Sequence, residues 1–184
     1  MALTKTPVCN FGEKAHSFNL KGVDNKNRKF DDYLGANGTL VMFICNHCPY
    51  VKAVIDDIVQ DCKALEKDGI KAIAIMSNDT KEFPADSFDN MIRFAKQHNF
   101  NFPYLIDETQ EIAKKYDAVC TPDFFGYNKI QELQYRGRIR ELRDLKAVRA
   151  GDSDLLNAMR MIAQTGNGPK DQIPSMGCNI KWFK

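Results

Sequence analysis

The chain has 184 residues, enough for one domain with a sizeable core. It is 43% hydrophobic and 27% charged with a net charge of +2, and no basic stripe interleaves with aromatic residues, so no nucleic-acid partner is expected. No stretch is long and apolar enough for a membrane, and Met1–Asn10 lacks the apolar run of a signal peptide, so the expected compartment is the cytoplasm, with Met1 taken as the start.

Thr39-Leu40-Val41-Met42-Phe43-Ile44 is short, uncharged and rich in β-branched and aromatic residues, the pattern of a buried strand. From Pro49, Val51, Val54, Ile55, Ile58, Val59, Cys62 and Leu65 line one face of a helix that ends at the Lys67-Asp68-Gly69 turn. Residues 70–77 predict a second buried strand, and 78–87 a polar loop broken by Pro84. Asp86 or Ser87 caps a helix running to about Gln97. Residues 102–106 are a short extended piece. Asp107 and Gln110 have capping-box spacing for a helix with Ile112, Ala113 and Tyr116. Residues 123–127 and 132–136 predict a hairpin, and 138–149, charged with both signs, a solvated loop or exposed helix. Gly151-Asp152-Ser153-Asp154 caps a last helix over 155–163. Residues 165–184 read as a flexible Gly- and Pro-rich tail. The expectation is one α/β domain over 1–164, followed by that tail.

Six cysteines (Cys9, Cys45, Cys48, Cys62, Cys120 and Cys178) are too few and too scattered for a disulfide-stapled secreted miniprotein. Cys9 carries no signal, and Cys62 reads as a small core residue. Cys45-Asn46-His47-Cys48-Pro49 lies where the buried strand hands over to the helix. Pro49 suits the first helical position. That puts Cys48 near the N-cap, where free N–H groups and the helix dipole stabilise a thiolate.

The chain resembles the thioredoxin-like superfamily and, within it, the redoxin branch. The matches are the Cys45–Cys48 junction, Tyr116-Asp-Ala-Val-Cys120-Thr121-Pro122-Asp-Phe-Phe125, the opening Gly12–Leu20 and the segment Phe102–Asp107. With the closing Pro174–Trp182, they are similar to a bacterial group labelled thioredoxin-family, redoxin or alkyl-hydroperoxide-reductase/thiol-specific-antioxidant proteins. The resemblance implies a thioredoxin-like fold: a central mixed β-sheet flanked by helices, with an N-terminal redoxin-type extension and the C-terminal tail.

The resemblance implies catalytic cysteines at Cys45 and Cys48. The plain Cys-x-x-Cys reading makes Cys45 the nucleophile. Family members normally place a few residues between strand and first cysteine, and here Cys45 follows Ile44 directly, so the register favours Cys48 as the attacking thiolate and Cys45 as its partner. His47 either tunes a neighbouring thiol's pKa or is simply exposed. Pro122 would be the family's cis-proline, with Thr121 offering backbone groups to an extended substrate. Cys120 is either a third redox cysteine or a buried structural thiol. Cys178 is either a mobile resolving cysteine or a spare surface thiol, and Trp182 docks the tail.

The expected function is thiol–disulfide exchange with protein or small-molecule disulfides, without a cofactor or resident metal, driven by an external thiol reductant such as a thioredoxin or glutathione system. One alternative is a peroxiredoxin-like peroxidase acting on peroxides, against which Val41 and Cys45 stand at that family's Pro and Thr places. The other is a metal-binding module using Cys45, His47 and Cys48.

Overall fold

The computed structural model describes residues 3–184. Its first half runs β1 (Leu3–Lys5), β2 (Asn19–Gly22), β3 (Asn27–Lys29), β4 (Gly38–Phe43), α1 (Pro49–Lys67), β5 (Ile70–Met76), α2 (Phe88–Gln97) and β6 (Tyr104–Ile106). Its second half runs α3 (Glu111–Lys115), β7 (Cys120–Thr121), β8 (Asp123–Asn128), β9 (Leu133–Tyr135), β10 (Leu142–Arg143), β11 (Lys146–Ala147), α4 (Asp154–Thr165) and β12 (Met176–Asn179).

The main sheet has seven strands in the order β3-β2-β6-β5-β4-β8-β9. β4 is parallel to β5 and antiparallel to β8, and β5 is parallel to β6, so the sheet is mixed. Every residue of β4 is buried because both faces are covered, which explains its unbroken apolar run. The two-residue period of a strand divides its side chains. Leu40 and Met42 join the cluster holding Val54, Ile58, Met91 and Met159 from α1, α2 and α4, while Val41 and Phe43 join Ile112, Phe18 and Phe30 on the other face. Each aliphatic side chain buried this way contributes about 1.5–3 kcal/mol.

Several expectations change at this level. Residues 138–149 hold the small antiparallel pair β10–β11 and no helix. Asp107 does cap α3, through its carboxylate to the N–H groups of Ile112 and Ala113. The capping box is absent, because Gln110 sits at φ 63° and donates its amide to the carbonyls of Ser77 and Lys181.

The largest difference is at the C-terminus. Residues 165–184 are stitched to the domain instead of hanging free. β12 lies between β1 and β7 in a second, three-stranded antiparallel sheet. Beyond it, Lys181 N–H donates to Asn78 and Phe183 N–H to Gln110. Trp182 rests 5.8 Å from the Lys114 ammonium. Among the described residues, no helix is long and apolar enough to cross a membrane.

Candidate active site

β4 ends at Phe43, and α1 begins at Pro49 with Cys48 as its N-cap residue. The strand delivers the chain to the sheet's C-terminal edge, and proline at the first helical position fixes where the helix starts. Cys48 is 0% exposed, and Cys45 is buried with it. The Thr121–Pro122 peptide bond is cis, which places the Thr121 carbonyl and hydroxyl against this loop.

Three sulfurs converge here. Cys48 Sγ lies 2.9 Å from Cys178 Sγ and 3.1 Å from the Thr121 carbonyl oxygen. Cys45 Sγ lies 3.4 Å from Thr121 Oγ1. Two thiols flanking one sulfur favour its ionised form. The Cys48 pKa is pulled down to about 5, chiefly by the neighbouring Cys45 thiol, then by Cys178 and the Val51 N–H of the first helical turn, against the opposing effect of burial. The neighbours move the other way. The Cys45 thiol is held well above its usual value by the neighbouring Cys48, by burial and by the Asp86 charge. Burial and the bond to Cys48 push Cys178 up to about 12. These opposed shifts favour the charge on Cys48 over its two neighbours.

A carboxylate that sequence reasoning read as a possible helix cap organises the loop. Ser87, not Asp86, caps α2. Asp86 is 0% exposed, and its Oδ1 accepts from the N–H groups of Asn46 (2.8 Å) and His47 (3.3 Å). Its Oδ2 accepts from Asn78 Nδ2 (2.8 Å) and faces His47 Nδ1 at 2.6 Å. A carboxylate only accepts, so Nδ1 carries the hydrogen. Asn46 is held further by the Tyr104 hydroxyl (2.9 Å).

His47 is thus part-buried, pinned to Asp86 and stacked on Phe83. It is not the freely exposed ring of one sequence reading. Its Nδ1 stands 4.0 Å from Cys45, so it adjoins that sulfur.

Cys120 and Cys178 part company. The Cys120 thiol donates to the Pro122 carbonyl at 3.6 Å, and burial holds it far above its ordinary pKa. Cys178 is neither mobile nor a surface thiol: it is buried on β12 and touches Cys48. The expected role of Thr121 also changes. Its backbone register partner is Cys178, so the strand edge expected to receive an extended substrate is occupied by the chain's own β12.

Cys45, His47 and Asp86 bring three potential metal-ligand atoms within 4.8 Å of one another. Asp86 already receives four N–H groups, so a cation there would strip it of partners that order the loop. This donor set suits a structural carboxylate better than a metal ligand.

Below Pro122, Arg136 donates Nη2 (3.0 Å) and Nε (3.4 Å) to Asp123, and its guanidinium lies 4.4 Å from the Phe125 ring. This buried ion pair anchors the start of β8 next to the site, and no motif in the sequence announces it.

The sequence pattern of the AhpC/TSA family matches residues 11–142. The chain belongs to the AhpC/TSA family. Among solved structures, this AhpC/TSA protein is similar to a conserved protein of Geobacillus kaustophilus described as uncharacterized, with TM-score 0.94 and 36% identity over 100% of this chain and 97% of that one. It is also similar to a hypothetical protein of Sinorhizobium meliloti 1021, with TM-score 0.90 and 31% identity over 98% of each chain. A secreted disulfide oxidoreductase of Mycobacterium tuberculosis shares the fold alone, with TM-score 0.55 and 18% identity over 64% of this chain and 80% of that one. No curated protein matches the AhpC/TSA chain. The family match and these neighbours make the fold thioredoxin-like.

Proposed function

We propose that the protein is a thiol–disulfide oxidoreductase in which Cys48 attacks and Cys45 is the Cys-x-x-Cys partner. The observation that carries this reading is the place of Cys48 at the N-cap of α1, with its sulfur 2.9 Å from Cys178 Sγ and 3.1 Å from the Thr121 carbonyl oxygen. The thiolate attacks a substrate disulfide and forms a mixed disulfide. The neighbouring thiol then displaces the second substrate sulfur. No cofactor enters this cycle. An external thiol reductant, such as a thioredoxin or glutathione system in a reducing cytoplasm, restores the two thiols. Because β12 already pairs with the Thr121 edge, an extended polypeptide has no free strand to pair with there, which favours small disulfides as substrates.

The test is single-turnover exchange of the reduced protein with hydroxyethyl disulfide. Cys48→Ser is expected to lose exchange, and Cys45→Ser to keep the first attack by Cys48, read as release of the first mercaptoethanol. Exchange retained by Cys48→Ser and lost by Cys45→Ser reverses the assignment. Exchange retained by the double serine variant overturns the reading.

The AhpC/TSA match favours a second reading, thiol peroxidase. Cys48 would then be oxidised to a sulfenic acid that a neighbouring thiol condenses with, releasing water. Against it, Val41 and Cys45 hold the places where peroxidases carry Pro and Thr. Timed oxidation by one equivalent of hydrogen peroxide, with alkylation quenching, separates the two. Completion within seconds at micromolar protein supports the peroxidase, and oxidation over many minutes beside fast disulfide exchange supports the oxidoreductase.

A further inference from the structure

β12 occupies the strand edge beside the cis proline. It is an extended segment paired antiparallel to β7 directly before the cis Pro122, with Cys178 opposite Thr121. Adding a strand to a free sheet edge is how extended peptides are commonly bound. The cysteine on this strand aims its sulfur at Cys48, 2.9 Å away. A disulfide needs about 2.05 Å, so the sulfurs stand less than ~1 Å from bonding distance. Strands on both sides hold the approach. Leu3 pairs with Cys178 from β1, and Thr121 from β7. The close fit of β12 on β7 also depends on Gly177, where a Cβ would lie 2.0 Å from the Thr121 carbonyl oxygen.

We propose that Cys178 is a third redox cysteine, a second disulfide partner for Cys48, carried by a C-terminal strand that occupies the substrate's place. The inference rests on Cys48 being the attacking sulfur. Cys48 thiolate attacks a disulfide RS–SR, the Cys48–SR bond forms, and RS⁻ leaves and takes a proton from water. Cys178 then gives its proton to the second departing sulfur and attacks Cys48 Sγ. The Cys48–Cys178 bond forms and the second RSH departs. The substrate disulfide has gained two electrons, and the two cysteines have lost them. In the mixed disulfide Cys48 is the electrophilic sulfur, and Cys178 Sγ, 2.9 Å from it in the reduced protein, is placed to attack. The bond formed also fastens β12 to the start of α1. Exchange of this bond onto Cys45 would release the strand.

The experiment follows reduced Cys45→Ser after one equivalent of hydroxyethyl disulfide, with alkylation quenching and peptide mass mapping. The expected product is a Cys48–Cys178 disulfide with no lasting mixed disulfide. The Cys45→Ser/Cys178→Ser variant is expected to lose this resolution and stall with the adduct on Cys48. A stalled adduct in Cys45→Ser itself, or undiminished resolution through Cys120 in the double variant, overturns the proposal. Wild-type protein guards against misfolded variants: a Cys48–Cys178 peptide is expected across a redox titration, and its complete absence overturns the proposal. If Cys48→Ser still takes up the adduct on Cys45, the assignment of the attacking sulfur fails, and this inference with it. If only Cys45–Cys48 is found while Cys48→Ser is inert, that assignment stands and this inference alone fails.

Discussion

Asp86 holds His47 through both backbone and ring: one carboxylate oxygen takes the His47 N–H, and the other faces Nδ1 at 2.6 Å. The same carboxylate takes the Asn46 N–H and the Asn78 amide, and Asn78 in turn accepts from Lys181 of the C-terminal segment. Loop conformation, ring orientation and the C-terminal cover therefore depend on one buried charge.

Asp86→Ala leaves these donors without a partner. Each unsatisfied buried group costs about 1–3 kcal/mol, and partial relaxation makes a loss of about 2–4 kcal/mol the expectation, read from the urea midpoint. Removing the negative charge also lowers the pKa of Cys45, which that charge raises. Thiolate absorbance against pH in a Cys48→Ser background reads this shift, and an unmoved Cys45 titration would contradict it.

Cys48 ionises at about 5 in the folded protein, and near 8.5 when unfolded. Between these values the unfolded chain holds a proton that the native state lacks, so this group makes stability rise with pH. The contribution is complete above about 8.5 and disappears as pH falls through 5. Two buried carboxyls, Asp61 and Asp123, raised to about 6 mainly by burial, act in the opposite direction between about 4 and 6. Cys178, raised to about 12, lowers stability as pH climbs above 8.5. The urea midpoint of reduced wild type minus that of Cys48→Ser isolates the Cys48 contribution. This difference should grow from pH 5 to 8.5, and a flat difference would show that the thiol is not acidic.

Gly177→Ala places a methyl group against the Thr121 carbonyl, a rigid backbone atom that has no room to give. β12 must lift from β7. The expected results are faster alkylation of Cys48 and a smaller yield of the Cys48–Cys178 disulfide in wild-type background. Unchanged alkylation would mean that β12 does not limit access to the sulfur.

Arg136→Ala strands the Asp123 carboxylate in the interior, 0% exposed and next to Pro122. Breaking a buried pair from one side costs about 3–5 kcal/mol. Arg136→Lys keeps the charge but loses the two-pronged contact and the flat packing on Phe125. It is expected to fall between wild type and alanine in the urea midpoint.

The sequence was legible where structure is local. An uncharged run bounded by polar residues becomes β4, a helical stripe behind Pro49 becomes α1, and Ser153 caps α4 with its hydroxyl accepting from Leu156 N–H. The placement of Cys48 at the helix start follows from Pro49 alone. The Thr121–Pro122 pair is legible too, through its match to the family's cis-proline segment.

Other parts were hidden because their causes are distant along the chain. β12 is four residues, Met-Gly-Cys-Asn, with no alternation or β-branched residue to mark it. It is a strand because β1 and β7 offer hydrogen bonds on both of its sides. Asp86 looked like a capping residue because its neighbours in sequence are helical, while its actual partners lie in the loop before α1 and at Asn78. Gln110 does not close a capping box because its amide donates to the carbonyls of Ser77 and Lys181.

By itself the sequence determined an α/β layout and which cysteine starts the helix, since periodicity, proline geometry and capping act over a few residues, while the thioredoxin-like fold is what the resemblance of its motifs implied. Only the tertiary structure decided which sulfurs meet. Cys45 and Cys178 lie beside Cys48 because a strand–helix junction, a cis-proline loop and the last strand converge at one sheet edge, and the neighbouring thiols there draw the Cys48 pKa down against the effect of burial.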